Sequence, residues 1–195
     1  MSSGRVFRFT PTPEHQAKHL FVFLHGCGAT AQSMIPIAFK FQARFPSAAL
    51  VVPSGFDPDA RGGAAQDWYP TRGLNCDNHR QRVAAVLPDV EDLVRREQTN
   101  FNVPASRTVL IGFSQGGTLA LEAVKSPGLA GAVVAFSSRF AQNPKLGTRI
   151  ASRRRRARAA ASPRASIWCT ANSTRWCRAS TPSAPRACSP GFTCR

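Results

Sequence analysis

Three things are missing from the back of this chain. No histidine follows His79, no aspartate or glutamate follows Glu122, and residues 148 to 195 contain no lysine. The first two absences mean that a nucleophile in the second half receives neither an imidazole base nor a later carboxylate from downstream sequence. Long apolar runs are missing too: the longest early one, Leu20 to Leu24, is far too short for a signal peptide or a membrane span, so the expected address is cytoplasmic. Cysteine is sparse in the front part, with only Cys27 and Cys76. Cys169, Cys177, Cys188 and Cys194 crowd the last 27 residues at spacings that fit no zinc or disulfide signature. The cysteines are therefore expected to be neither metal ligands nor staples, and no metal or cofactor is called for.

What is abundant is arginine, and its placement matters more than its total. The formal charge of +16 divides into 15 Lys+Arg against 10 Asp+Glu over residues 1 to 147, and 11 Arg with no acid over residues 148 to 195. The basicity belongs to the tail. From Ile150 onward the chain is Arg, Ala, Ser, Pro, Thr and Cys without strand alternation or a helical stripe, apart from the isolated Ser166-Ile167-Trp168-Cys169. The expected organisation is one incomplete core over 1–147 followed by a disordered tail over 148–195. Such a tail allows a non-catalytic alternative, a basic-tailed protein that binds nucleic acid or anionic surfaces. It lacks a recognisable module and has few aromatics interleaved for stacking, so no specific nucleic-acid partner is expected.

Within 1–147 the pattern alternates strand and helix. Val6 to Phe9 reads as an edge strand, and Leu20 to Leu24 as a strand covered on both faces. Gln32 to Phe45 has helical spacing and is stopped by Pro46; Ala48 to Val52 is the next buried strand. A long polar loop through Leu74 carries Asp67-Trp68-Tyr69-Pro70. There Trp68 and Tyr69 either line a substrate pocket or anchor the loop to the core. Asp77 is a candidate cap for a helix through Val83, Val86, Val90, Leu93 and Val94, bent at Pro88, with Arg95, Arg96 and Glu97 on a solvated face. Thr108 to Ile111 and Ala130 to Ser137 are further strands. Alternation of this kind predicts an α/β, doubly wound, mostly parallel sheet, whose sites lie beyond the carboxyl ends of the strands.

Two glycine-rich turns fall at that edge. Gly112-Phe113-Ser114-Gln115-Gly116-Gly117 sits between a buried strand and an amphipathic helix, the setting of a nucleophile elbow. A sharp turn lifts the serine oxygen clear of the sheet, and Gly112 and Gly116 stand where a Cβ would collide with the neighbouring strand and helix. His25-Gly26-Cys27-Gly28 after the strand ending at Leu24 exposes backbone N–H groups at the same edge, the natural second half of an oxyanion hole.

With Leu24-His25-Gly26-Cys27-Gly28, Asp67-Trp68-Tyr69, Asp77-Asn78-His79-Arg80 and Gly112 to Gly117 in this order, the chain resembles the bacterial carboxylesterase/phospholipase branch of the α/β-hydrolases, relatives of the acyl-protein thioesterases. The likeness covers roughly residues 18 to 145. It implies an α/β-hydrolase fold lacking its last strands and helices. Ser114 is the implied nucleophile, forming an acyl-enzyme with a small ester or thioester, and the backbone N–H groups of Cys27 and Gln115 hold the oxyanion. The resemblance also implies a triad acid and histidine after the serine, in that order. This chain has neither. His25 is the histidine nearest the site, and the resemblance assigns it to the oxyanion turn rather than to base catalysis.

The genetic code suggests a mechanical cause. Read two bases on, with the free third bases taken as G or C, the codons of Ile167 to Arg178 can encode Leu-Val-His-Gly-Glu-Phe-Asp-Pro-Val-Val-Pro. That string is similar to the family's next strand and acid loop, its aspartate straddling the codons of Ser173 and Thr174. The expectation is a frameshifted translation from somewhere between about residues 140 and 155 onward. The sheet would then end on the strand near Val133, with an unpaired edge and an uncovered apolar face.

Overall fold

The computed structural model describes residues 5–11, 16–58, 65–141 and 166–170. Strands β1 (Val6–Phe9), β2 (His19–Leu24), β3 (Ala48–Pro53), β6 (Thr108–Phe113), β7 (Ala132–Phe136) and β8 (Ser166–Thr170) form one six-stranded sheet in the order β1-β3-β2-β6-β7-β8. Only β1 runs antiparallel to its neighbour; the rest pair in parallel. A two-residue ribbon, β4 (Asp57–Pro58) with β5 (Gln66–Asp67), lies apart from it. Helix α1 (Ile35–Arg44) connects β2 to β3, α2 (Cys76–Phe101) precedes β6, and α3 (Gln115–Ala123) connects β6 to β7.

The period of two decides which residues form which core layer. Leu20, Val22 and Leu24 of β2 pack with Val83, Val90 and Leu93 of α2 and Leu119 of α3, while Phe21 and Phe23 join Leu50, Ile111 and Ala38 on the α1 side. Both faces of β2 and β3 are covered, which is why these strands read as unbroken apolar runs. From β2 the chain winds outward through α1 to β3, then returns to place β6 on the other side of β2. The order reverses between β2 and β6. Their carboxyl ends are adjacent, with Leu24 opposite Gly112, so both glycine-rich turns open from this one switch point.

Four expectations are corrected. β7 is not an unpaired edge, because Ser166–Thr170 adds in parallel, Ile167 opposite Val133 and Trp168 opposite Val134. Ile, Trp and Thr suit a pleated surface whatever their origin. Helix α2 is capped by Asn75, whose side chain accepts the N–H groups of Asp77 and Asn78 while Asn78 reaches back to the Asn75 N–H; Asp77 lies inside the first turn. Glu97 is buried, accepting two hydrogen bonds of 2.7 and 2.8 Å from Arg8 on β1. Cys27 and Cys76 are both disulfide-bonded.

The expectation of an uncovered apolar face does show in part. On the α1 side of β6 and β7, Val109, Val134 and Phe136 are only half-buried and Phe113 is 48% exposed. Apart from β8, the tail over 148–195 lies outside the described residues.

Candidate active site

Ser114 stands between the end of β6 and the start of α3 with φ 50° and ψ −113°, a backbone conformation that a non-glycine residue adopts only when its surroundings impose it. The imposing bonds are visible. The Ser114 N–H donates to Phe136 O at 2.9 Å, and Ser114 O accepts from the Thr118 N–H at 3.0 Å and from Ser138 Oγ at 3.1 Å. A Cβ on Gly112 would come within 2.5 Å of Gly116 O and Gly117 Cα, and one on Gly116 within 2.3 Å of Leu24 O. The turn is as tight as the sequence suggested, and both glycines are there for close approach.

The two turns are tied together. Gly116 N–H donates to His25 O at 3.1 Å, so the base of the elbow hangs from the end of β2. His25 O also accepts from Trp68 Nε1 at 2.9 Å. The Gly28 amide donates to Asp67 Oδ1 at 2.7 Å, and Thr71 Oγ1 holds Asp67 Oδ2 at 2.8 Å. This buried carboxylate therefore fixes the residue next to Cys27 by a charge-assisted bond. The Gln115 side chain, also buried, accepts from the Trp68 N–H and donates to Tyr69 O, each at 2.8 Å. Gln115 thus carries two features: a backbone N–H at the first position of α3, and an amide that pairs with the 68–69 segment as a neighbouring strand would.

Trp68 and Tyr69 lie at the site edge as anchors, being 1% and 3% exposed. With Phe56, Asp57, Pro70, Arg82, Ala85 and Val86 they also line a recess of about 310 Å³, and Ser114 is not among its lining residues. The large aromatic exposed beside Ser114 is Phe113. Its exposure escaped the sequence reading because a residue at the end of a buried strand carries no local sign of being uncovered.

Among the described residues no hydrogen bond joins a histidine to Ser114. His25 is fully buried: its Nδ1–H donates to Gly26 O at 2.8 Å, and its Nε2 accepts from the Gly55 N–H at 3.0 Å. Both ring nitrogens are committed in the neutral form. Burial holds its pKa below the usual histidine value against the opposing pull of Gly26 O and Asp67. His79, on α2, shares a 3.1 Å hydrogen bond between its Nε2 and the buried Tyr69 hydroxyl, and burial with the nearby Arg139 lowers its pKa while Glu122 opposes. His19 begins β2, at the end of the sheet away from Ser114. His15 lies outside the described residues. Glu122, the last acid, is engaged by Lys125 Nζ and the Ala141 N–H.

The sequence pattern of the phospholipase/carboxylesterase family matches residues 8–155, most of the chain and all of the site just described. The chain belongs to that family. Among its relatives, the esterase YpfH of Escherichia coli strain K12 is 37% identical over 138 residues, covering 70% of this chain and 59% of that protein. An acyl-protein thioesterase 1 of Cryptococcus neoformans is 28% identical over 154 residues, covering 74% and 63%. In fold, the crystal structure of esterase PE8 superposes with a TM-score of 0.63 at 23% identity, over 71% of this chain and 65% of that one. The carboxylesterase of Bacillus cereus does so with a TM-score of 0.58 at 12% identity, over 73% and 64%. These likenesses show the α/β-hydrolase fold. The chain spans about three-fifths of the length of the curated relatives it matches.

Among the described residues no group of three or more histidine, cysteine or acidic side chains could hold a metal ion, and no helix is long and apolar enough to cross a membrane.

Proposed function

We propose that this chain descends from a serine hydrolase of carboxylic esters or thioesters, and that it retains the nucleophile and oxyanion site without the base that drives them. The observation that carries the reading is the backbone of Ser114. A serine held at positive φ between a buried parallel strand and a helix N-terminus is a costly arrangement, and presenting its hydroxyl at the sheet edge is what it accomplishes.

In the intact reaction Ser114 Oγ attacks the ester or thioester carbonyl while a base takes its proton. The carbonyl oxygen becomes an oxyanion facing the N–H groups of Cys27 and Gln115; loss of one donor of this kind costs about 2.7 to 4 kcal/mol of transition-state stabilisation. Collapse expels the alcohol or thiol and leaves acyl-Ser114, which water then hydrolyses. Here the hydrogen bonds of His25 and of His79 Nε2 lead away from Ser114 and His19 lies at the far end of β2, so on this reading the serine keeps its proton.

The missing acid and base are assigned to another reading frame. Support comes from β8. Its register sets Thr170 opposite Phe136 at the carboxyl end of β7, so the shifted string beginning at Ile167 would form the same strand. Its aspartate would follow a few residues beyond the strand's carboxyl end, the edge that carries Ser114. The family match ending at residue 155 is in keeping with a break in that neighbourhood. Resequencing the gene tests the assignment: an uninterrupted frame with no insertion or deletion between about residues 140 and 155 sinks it. Activity is tested by hydrolysis of a short p-nitrophenyl ester by the frame-restored protein and its Ser114→Ala variant, where the variant is expected to lose turnover.

A further inference from the structure

We propose that Cys27 and Cys76 are bonded to each other, and that this disulfide is a redox-sensitive clasp on the oxyanion turn. The proposal rests on the reading of Cys27 as an oxyanion donor for its functional consequence, though not for its chemistry.

Cys27 lies in the turn that leaves β2, and Cys76 is the first residue of the 26-residue α2; both are disulfide-bonded. Beyond the bonds at His25 and Gly26, the segment from Gly28 to Ala29 is tied to other elements through the β4–β5 ribbon. Asp67 Oδ1 accepts the Gly28 N–H, and Ala29 bridges Gln66, whose N–H donates to Ala29 O at 3.1 Å. The ribbon is short and belongs to a long connection between β3 and α2. By contrast α2 is capped at Asn75, and its Arg82 accepts no freedom from the preceding loop, donating to Pro70 O at 2.6 Å and Arg72 O at 2.8 Å. A bond to Cys76 therefore fastens the turn to a rigid element. Without it the part of the turn beyond Gly26 is tied across to the ribbon, while His25 and Gly26 keep their bonds at the end of β2.

The bond is also placed where a reductant reaches it. Cys76 is exposed and Cys27 half-buried. Cys76 sits at a helix N-terminus, which stabilises its thiolate and makes it the better leaving sulfur. With a cellular dithiol as reductant, one thiolate attacks the Cys27 sulfur, the sulfur–sulfur bond breaks and Cys76 departs as thiolate and takes up a proton. The second thiol of the reductant then displaces Cys27, leaving two protein thiols and an oxidised dithiol. Disulfides kept in reducing compartments are commonly of this labile, sensing kind.

The decisive experiment uses the full chain and needs no turnover. Peptide mapping after denaturing alkylation without reductant should yield a cross-linked pair of peptides containing Cys27 and Cys76. Hydrogen exchange of residues 26 to 29 should rise several-fold on adding dithiothreitol, and rise equally without it in Cys76→Ser, while β2 and β6 stay protected. Alkylation of both cysteines in the unreduced chain, or linkage of either to a tail cysteine, overturns the pairing. Unchanged exchange in the turn on reduction overturns the clasp. In the frame-restored protein, reduction should lower ester turnover. If that protein is inactive both oxidised and reduced while the exchange result holds, the esterase reading has failed and the clasp stands.

Discussion

Replacing Gly116 by alanine tests the coupling of the two turns. The added Cβ would lie 2.3 Å from Leu24 O, 2.5 Å from His25 O and 2.5 Å from Leu24 C, all backbone atoms at the end of a central strand. No side chain can rotate away, so α3 and the end of β2 must separate. Overpacking of a well-filled site costs about 1 to 3 kcal/mol. Separation also weakens the Gly116 N–H bond to His25 O, worth about 1 kcal/mol net. The sum, about 2 to 4 kcal/mol, should lower the thermal midpoint by roughly 5 to 15 °C in a domain of this size. The natural control is Gly128→Ala, at φ +69° with open space around it, where only local backbone strain is added. Circular dichroism melts of both variants give the answer. If Gly116→Ala melts with the parent chain, or no lower than Gly128→Ala, the close approach of the elbow to β2 is not what holds the site together.

Other perturbations follow from the same contacts. Arg8→Ala strips buried Glu97 of two charge-assisted bonds and should destabilise by about 1.5 to 3 kcal/mol in urea, against a small effect for Arg96→Ala on the solvated face of the same helix. Cys76→Ser should cost about 4 kcal/mol by freeing a loop of roughly 50 residues in the unfolded chain, and dithiothreitol should remove the same increment from the parent. His25 and His79 both have folded pKa values below the unfolded value, so the unfolded chain binds more protons as pH falls. Their contribution is fully present above the unfolded value of about 6.5 and is lost as pH drops through it toward the folded values. The urea midpoint should therefore fall between pH 7.5 and 5; a midpoint that stays flat or rises there contradicts the burial of these two rings.

The fold was legible where a short-range pattern carries it. Leu20 to Leu24 and Thr108 to Ile111 are apolar runs bounded by glycine-rich turns, and parallel strands need no more than that to be read. The elbow was legible because steric crowding leaves glycine little competition at 112 and 116. Glu97 was misread although the signal was present: it follows Val90, Leu93 and Val94 at helical spacing and so falls on the buried stripe. The cap was misplaced because Asn75 and Asp77 are both good caps two residues apart, and reciprocal bonding by Asn78 decided between them. What could not be read is what depends on distant segments meeting: the grip of Asp67 on Gly28, the Gln115 amide against Trp68 and Tyr69, and the disulfide bonding of Cys27 and Cys76. β8 lay between these cases, since Ser166 to Cys169 stood out in the tail but nothing local said that it would join β7.

The central claim is that Ser114 is a correctly held nucleophile deprived of its base. It is tested most directly by the ratio of ester turnover between the frame-restored protein and this 195-residue chain, under one set of conditions and with Ser114→Ala as the background. Loss of a whole triad has lowered turnover by about 10⁶-fold elsewhere, leaving ~10³ to 10⁴ over water from oxyanion binding and positioning. A ratio of several orders of magnitude, abolished by Ser114→Ala in the restored protein, is the predicted result. Turnover by this chain within about tenfold of the restored protein would contradict it.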